Sequence, residues 1–383
     1  MQNTLKPIFY QSLIMTANIL TGIIITRSSD YDLRADISSL MALLGFSLIL
    51  LNQSHFEKII RDKLDFTGIS FFRHALPILV LSSFTTYTLN LTFWLFPLVF
   101  FYLLLNTIVQ LRGAKFFKSN GNLNFLMLSL VFYITNLILT LFLILINYLN
   151  IYTWLFTSIV ADFILLQLYF FYSKPMKSIP FRTASENRIK FSIAAVFFAL
   201  ADPIIVIIAK YFSDAAGLAY FVVAISTISP ILIIYSAFQN KLLTFPKIVK
   251  FRFKALQVSC VMLVLILSAT FYANVIKYAI PFIFGEKYSQ LSNYTISIVV
   301  MGYLMLAFKT SNTILRSLDL NFLSFSLTAT FLMSFVLCCV LMPNSNVSLI
   351  FSTVFSLTVS LALHGIGLIF RVTFKHLYMN KST

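Results

Sequence analysis

Long apolar runs, separated by short polar or charged clusters, make up most of this chain. Runs of about 20 apolar residues match the thickness of a bilayer when they are helical. A bilayer offers the backbone no hydrogen-bond partners, so only helices and closed barrels cross it. The runs are continuous and lack the alternation of a barrel strand. The sequence therefore predicts an all-α polytopic membrane protein.

The composition excludes a soluble protein. Charged residues make up 10% of the 383 residues, hydrophobic residues 59%, and the mean hydropathy is +0.91. A soluble domain has roughly a quarter of its residues charged. The 42 Phe and 18 Tyr residues fit packing and interface anchoring better than cofactor stacking. Cys260, Cys338 and Cys339 all lie in apolar runs, and the adjacent pair points to different helix faces, which argues against a disulfide or a metal site.

Apolar runs bounded by polar clusters predict twelve spans, of which the first also serves as the insertion signal. Polar turns around Asn90 and at Asn147–Asn150 separate the two tightest pairs. The predicted spans are 8–26, 37–53, 69–88, 91–111, 123–149, 151–172, 190–210, 216–240, 255–277, 291–315, 320–342 and 346–370.

The basic residues support this map. With the N-terminus inside, the inner segments hold 22 of the 28 basic residues. Short loops rich in Lys and Arg stay on the cytoplasmic side. We therefore expect a multi-pass protein of the bacterial inner (cytoplasmic) membrane with both termini in the cytoplasm. Basic clusters on alternating sides form no single face for nucleic acid, so the net charge of +16 indicates anchoring to membrane lipids. Five basic residues fall in outer segments and one in a span: Arg27, Arg34, Lys210, Lys277 and Lys287, and Lys309.

The domain organisation follows from the polar linker after span six, which lies close to the midpoint of the chain. It predicts an N-terminal six-helix lobe over 1–172, a cytoplasmic linker over 173–189 and a C-terminal six-helix lobe over 190–383. Equal halves with an even number of spans share one orientation, as in transporters built from parallel repeats.

The sequence offers no catalytic chemistry. No outer loop exceeds about 15 residues, whereas membrane glycosyltransferases and polysaccharide polymerases usually work in a large outer loop. Nucleotide-binding glycine loops, HExxH and nucleophile elbows do not occur in the sequence. Asp30-Tyr31-Asp32 has the spacing of a metal-binding acidic pair, but its short charged setting favours a solvated turn. We expect a protein that is not an enzyme.

Three ionisable residues fall inside predicted spans, namely Asp162, Asp202 and Lys309. Each costs roughly 2.5–3.5 kcal/mol at the bilayer centre, which makes it a candidate functional residue. Asp162 and Asp202 either couple transport to an ion at a central cavity or make structural hydrogen bonds to a neighbouring helix. Lys309 either extends to the cytoplasmic surface or contacts a phosphate in the cavity. Arg27 and Lys210 end the equivalent first helices of the two halves, where they would line an outer vestibule.

Two segments carry a resemblance to a known family. Ala201-Asp202-Pro203-Ile204, with the stretch from Phe212 to Tyr220, is similar to helices seven and eight of polysaccharide flippases. Ile280–Tyr288 resembles their Phe-Gly-x-x-Tyr turn before helix ten. Thr26-Arg27 before Asp30-Tyr31-Asp32 resembles the end of their helix one. The chain thus resembles the Wzx-type flippases of O-antigen and capsule, within the MATE-like MOP exporter superfamily.

The resemblance implies a MATE-like fold whose lobes enclose a cavity that opens alternately to each side. It implies an undecaprenyl-pyrophosphate-linked oligosaccharide as substrate, bound through Arg27, Lys210, Lys309 and, unless it only anchors its helix, Arg73. No cofactor is expected beyond H⁺ or Na⁺ coupling through Asp202 or Asp162. Partners would be the lipid-linked oligosaccharide, membrane lipids, and a glycan polymerase with its chain-length regulator. A MATE-like drug or cation antiporter is the alternative, and a polysaccharide polymerase or glycosyltransferase a more distant one.

Overall fold

The computed structural model describes residues 2–52, 71–89, 95–172, 186–243, 255–318, 320–342 and 347–379. Across these ranges the chain forms twelve α-helices and one 3-10 helix, with no strand. The helices are α1 Gln2–Ser28, α2 Tyr31–Asn52, α3 Phe71–Thr88, α4 Leu95–Asn120, α5 Asn122–Leu145, α6 Ile151–Tyr172, α7 Glu186–Phe212, α8 Ala215–Leu243, α9 Ala255–Phe284, the 3-10 helix Glu286–Tyr294, α10 Thr295–Ser317, α11 Asn321–Leu341 and α12 Ser348–Met379.

Eleven of the described helices are long and apolar enough to cross a membrane. The remaining helix, α3, contributes the shorter apolar stretch Leu76–Thr88. The all-helical, multi-pass architecture predicted from the sequence is confirmed. The span that looked shortest in the sequence, 37–53, belongs to a 22-residue helix, α2.

The helices pair in the same order in the two halves of the chain. In the first half α1 packs on α5, α2 on α4, and α6 on both α4 and α5. In the second half α7 packs on α11, α8 on α10, and α12 on both α10 and α11. This parallel pairing is what two repeats of one six-helix unit produce. Residues 173–185 of the predicted linker lie outside the described residues, and the lobe boundaries stay predictions.

Each lobe has its own apolar core. Buried Leu40, Leu44 and Leu155 belong to the first core, and Phe221 and Phe335 to the second. A few side chains cross between the lobes: Ile23, Tyr31 and Ala35 pack on the second core, and Ile207 packs on the first. These crossing residues lie close to the α1–α2 and α7–α8 turns. We call that end of the bundle, which also carries the 3-10 helix, the turn end.

Helices α8 and α10 approach closely at Gly302. A Cβ atom at this position would lie 2.8 Å from Ile231 Cδ1 and 3.1 Å from Ile228 Cβ. Glycine is therefore what allows the two helices to pack at this distance. A Cβ at Gly365 in α12, by contrast, would meet nothing within 4 Å.

Gly302→Val should lower the stability of the fold by about 1–3 kcal/mol, because the added methyl groups overpack the α8–α10 contact. The measurement is the thermal transition of the purified protein in detergent, followed by size-exclusion chromatography. Gly365→Val is the matched control and should leave the transition nearly unchanged. Equal behaviour of the two variants would show that α8 and α10 do not pack through Gly302.

A polar cavity between the two lobes

A cavity of about 390 Å³ lies between the lobes. Its walls come mainly from α1 and α2 of the first lobe and from α7 and α8 of the second, with Asn136 and Trp154 contributed by α5 and α6. Polar residues recur along the walls, including Asn18, Thr21, Ser38, Ser226 and Ser229. Arg34 and Asp202 are the charged residues among those that line it.

Arg34 is the feature of the cavity that the sequence analysis missed. Its side chain is 4% exposed, and its Nε has no hydrogen-bond partner among the described residues. The predicted start of span two at residue 37 was wrong, since α2 begins at Tyr31. Asp30 explains the difference: its carboxylate accepts a hydrogen bond from the Leu33 N–H at 2.8 Å and caps the helix. An aspartate just before an apolar periodic segment is the signal that would have placed Arg34 inside the helix.

Asp202 and Lys309 form an ion pair across the two helices α7 and α10. The Lys309 side chain is 14% exposed and that of Asp202 55%, so the carboxylate faces the cavity and the ammonium lies behind it. The sequence left two interpretations open for Lys309, one of which was extension to the cytoplasmic surface. In the structure Lys309 instead pairs with Asp202.

Arg316 extends this cationic face of α10. Arg316 follows Lys309 by about two helical turns, and it is fully buried. Phe198, one turn before Asp202 in α7, lies under both cations: its ring centroid is 4.8 Å from Arg316 Cζ and 6.0 Å from Lys309 Nζ. Such contacts stabilise a desolvated cation. The sequence map had put Arg316 in an inner loop, although its spacing from Lys309 already placed both on one helix face.

Asp162 lies inside the first lobe and does not line the cavity. It is buried, and its carboxylate accepts a hydrogen bond from Asn106 Nδ2 of α4 at 2.8 Å. Asn106 Oδ1 in turn accepts a hydrogen bond from Gln110 Nε2 at 2.8 Å. Asp162 has no basic partner within the described residues. Nor do those residues contain a group of three or more His, Cys, Asp or Glu side chains that could hold a metal ion.

The lobes are joined at the turn end by hydrogen bonds to one residue of the 3-10 helix. The hydroxyls of Tyr31 and Tyr220 both donate to the Lys287 carbonyl at 2.8 Å, and the Lys287 ammonium donates to the Ser29 carbonyl. The ring of Tyr288 packs against both tyrosine rings. Gly285, with φ at 102°, permits the sharp turn that leads into this helix. Tyr31 and Ser29 come from the first lobe, so these contacts close the cavity at the turn end.

Lys210 and Arg27 take no part in the Asp202–Lys309 pair. Lys210 near the end of α7 pairs with Asp36 of α2 at 3.7 Å, a further contact between the lobes. Arg27 is exposed at the end of α1. Arg73 falls in α3, where its side chain lies outside the described residues. The structure thus brings Asp202 and Lys309 together and places Lys210 at the turn end. Asp162 belongs to a separate hydrogen-bond network with Asn106 inside the first lobe.

Asp202→Asn should lower stability by about 3 kcal/mol, because it leaves the mostly buried Lys309 ammonium unpaired. Lys309→Gln should cost less, since the Asp202 carboxylate is half exposed to the cavity. The double variant should be more stable than Asp202→Asn alone. Thermal transitions in detergent measure all three. Asp36→Asn, which breaks the exposed pair with Lys210, is the control and should cost less than about 1 kcal/mol. Additive losses in the double variant would contradict the pairing.

Removing the two hydroxyls by Tyr31→Phe and Tyr220→Phe should loosen the turn end, because both hydrogen bonds to the Lys287 carbonyl are lost. We expect faster labelling of a Ser38→Cys reporter in the cavity by a membrane-impermeant maleimide added from the turn-end side. The background should lack the native cysteines. Tyr278→Phe, at an exposed tyrosine of α9, is the control. An unchanged labelling rate in the double variant would show that these bonds do not hold the lobes together.

No known family profile matches the sequence, and no curated protein matches it either. Solved structures of transporters do match. An inward-facing multidrug MATE transporter of the MOP superfamily shares 11% identity, with 95% of this chain and 94% of that chain covered and a TM-score of 0.59. An outward-facing multidrug MATE transporter shares 12% identity over 97% of this chain and 94% of that chain, with a TM-score of 0.57.

A third match is a MOP superfamily transporter from Pyrococcus furiosus, described as having a binding pocket of reverse polarity that suggests a different function. It shares 10% identity, with 97% of this chain and 94% of that chain covered and a TM-score of 0.59. Identities this low establish the fold rather than the activity. The chain therefore has the all-helical MATE-like fold of the MOP superfamily transporters.

Proposed function

We propose that this protein is a flippase of the bacterial inner membrane. It moves an undecaprenyl-pyrophosphate-linked oligosaccharide from the inner to the outer leaflet for O-antigen, capsule or related polysaccharide synthesis. A glycan polymerase and its chain-length regulator would take up the product. The observation that carries the proposal is the Arg34 guanidinium, buried at the cavity wall with its Nε lacking a hydrogen-bond partner among the described residues.

A buried guanidinium nitrogen that has no hydrogen-bond partner, as Arg34 Nε among the described residues, is costly unless a ligand completes its hydrogen bonding. Its planar donors match the oxygens of a phosphate group and bind them through two parallel hydrogen bonds. Asp202 adds no competing negative charge, because Lys309 already neutralises it. The charges of the cavity therefore sum to a positive surplus at Arg34. A lipid-linked pyrophosphate carries such an anionic group into the membrane.

The rest of the cavity suits a sugar. Side-chain hydroxyls and amides on α1, α2, α5 and α8, among them Asn18, Ser38, Asn136 and Ser226, line it between apolar residues. Sugar hydroxyls donate and accept hydrogen bonds, so such a wall receives them without charge selectivity. In this arrangement the pyrophosphate lies at Arg34, and the polyprenyl chain stays in the lipid.

Alternating access would require the turn end to open. The distribution of Lys and Arg residues assigns the turn end to the outer side of the membrane. Because the turn end is closed in the structure, we assign this state to loading from the cytoplasmic leaflet. Opening would break the hydrogen bonds to Lys287 and the Lys210–Asp36 pair. It would thereby free Lys210 to meet the pyrophosphate on its way out, together with Arg27, which is exposed at the end of α1. Lys309 acts indirectly, through its pair with Asp202, and Arg73 stays a prediction.

Coupling to H⁺ or Na⁺ is assigned to Asp162 rather than to Asp202. Asp202 carries its own cation in Lys309 and needs no second one. Asp162 is buried, and its hydrogen-bond partner among the described residues is the neutral Asn106 amide. A carboxylate in such a place is stable if it binds a proton or a cation. Because Asn106 links Asp162 to α4, and α4 packs on α2, a change of charge at Asp162 can reach the helix that carries Arg34.

A MATE-like drug or cation antiporter is the alternative, favoured by the multidrug transporters among the structural matches. A cationic drug would need an unpaired acid in the cavity. The lining offers Asp202, which is paired, and Arg34, which repels cations. Surface-glycan display after gene deletion, compared with drug resistance, separates the two functions. Loss of resistance with normal glycan would favour the antiporter.

Arg34→Gln should abolish glycan export by a complementing copy, and lipid-linked repeat units should accumulate in the inner leaflet. Arg34→Lys should restore part of the activity, because it keeps the charge but loses the two-pronged geometry. Lys6→Gln, which removes an exposed cation at the start of α1, is the control. Each variant is compared at equal membrane abundance. Normal glycan display with Arg34→Gln would overturn the assigned phosphate site.

Asp162→Asn should uncouple transport from its ion, because the amide keeps the shape of the carboxylate but holds no proton or cation. In proteoliposomes we expect transport by the wild type to respond to an imposed H⁺ or Na⁺ gradient. Transport by Asp162→Asn should not respond, while Asp202→Asn should still do so. If only Asp202→Asn loses the response, the coupling residue is Asp202 and the assignment made here is wrong.

A further inference from the structure

A second cavity, of about 430 Å³, lies between α9 and α10 of the second lobe. It shares no lining residue with the cavity between the lobes. It is within the usual size range of small-ligand sites. Its walls run from Ala269 and Ala273 of α9 to Val299 and Val300 of α10, and residues of the 3-10 helix cover its turn end.

The polar groups of this cavity gather toward the turn end. Lys277 of α9 contributes the one charged side chain of its lining, and Ser292 and Asn293 of the 3-10 helix lie beside it. Lys277 is about 10 Å along the helix axis from the end of α9, whereas Ala269 is about 22 Å from it. The lining therefore passes from a cationic end into an apolar end, along the direction in which a lipid lies in a bilayer.

Two groups at the polar end have no partner among the described residues. The Ser292 hydroxyl oxygen is buried and has no hydrogen-bond partner in that part of the chain. Lys277 is exposed and makes no ion pair with any residue in the described ranges. A buried hydroxyl without a partner is uncommon in folded proteins and indicates a missing ligand or water. The Asn274 amide, by comparison, donates to the Thr270 carbonyl of its own helix at 3.1 Å.

We propose that this groove binds the phosphate group of an anionic membrane lipid. The Lys277 ammonium attracts the phosphate charge, the Ser292 hydroxyl and the Asn293 amide donate to its oxygens, and one acyl or prenyl chain covers the apolar wall of Ile296, Val299 and Val300. A cation would not bind there, because the described residues of the lining include no acid. A soluble anion would leave the apolar wall unused.

Binding at this groove would also act on the closure of the turn end. Ser292 and Asn293 belong to the same 3-10 helix as Lys287, whose carbonyl and ammonium join the two lobes. A lipid that holds one end of this helix against α9 also restrains the other end. Anionic lipid should therefore slow labelling of the Ser38→Cys reporter from the turn-end side.

The test uses the purified full-length chain and native mass spectrometry with phosphatidylglycerol, phosphatidylcholine or undecaprenyl phosphate added. Wild-type protein should retain an anionic lipid in preference to phosphatidylcholine. Lys277→Gln should reduce that retention about fivefold, which corresponds to one lysine next to anionic lipid. Ser292→Ala should reduce it less. Lys277→Arg should restore it, and Lys6→Gln should not change it.

The two anionic lipids distinguish the source of the phosphate. Lys277-dependent retention of phosphatidylglycerol identifies a bilayer phospholipid, and Lys277-dependent retention of undecaprenyl phosphate alone identifies a carrier lipid. Either outcome supports a lipid-phosphate site. Equal retention of phosphatidylglycerol and phosphatidylcholine, with undecaprenyl phosphate retained equally by wild type and Lys277→Gln, would overturn it. The outcome does not depend on glycan export, so it can fail while the proposed function stands.

Discussion

Charge compensation inside the hydrocarbon is the constraint on which this structure depends. A charged side chain in a membrane is stable only with a partner within the protein, because lipid supplies none. Asp202 and Lys309 meet that demand together, and the pair ties α7 to α10. Phe198 supports the same face by lying under Lys309 and the buried Arg316. The second lobe thus keeps two cations and one acid between its helices and presents only a neutralised carboxylate to the cavity.

Arg34 does not follow this pattern, and that makes it informative. It is more buried than either Asp202 or Lys309, yet its Nε has no hydrogen-bond partner within the described ranges. Lys210, in the last turn of α7, is paired with Asp36 of α2. Charges at the closed end of the bundle therefore join the lobes. Our proposal assigns the charge on the cavity wall to a ligand, which would separate the groups that hold a conformation from the group that binds the substrate.

Hydropathy and the positive-inside rule were enough to predict the helices, because both depend on the solvent rather than on partners. They predicted twelve spans, and eleven of the described helices are long and apolar enough to cross a membrane. The MATE-like fold was what the resemblance to polysaccharide flippases implied. The site was predicted only in part. Asp202 and Lys309 were found because a charge in an apolar run is conspicuous, but their contact required two helices distant in sequence to be packed. Arg34 and Arg316 were missed because each lies within a few residues of a helix end, where hydropathy does not separate a buried residue from a loop residue.

The two lobes repeat one helix pairing but differ in the polar network that each contains. In the first lobe Asn106 of α4 bonds to an acid, Asp162. In the second, the equivalent helix α10 carries Asn312, whose side-chain oxygen accepts hydrogen bonds from the hydroxyls of Ser324 and Thr328 in α11. A neutral network keeps its charge state at every stage of a transport cycle. An acid without a basic partner can change its charge state, because proton or cation binding alters its cost of burial. Within the described residues, the first lobe holds such an acid and the second carries the Asp202–Lys309 ion pair. This asymmetry between the repeats is the reason why our proposal assigns an ion-driven step to the first lobe.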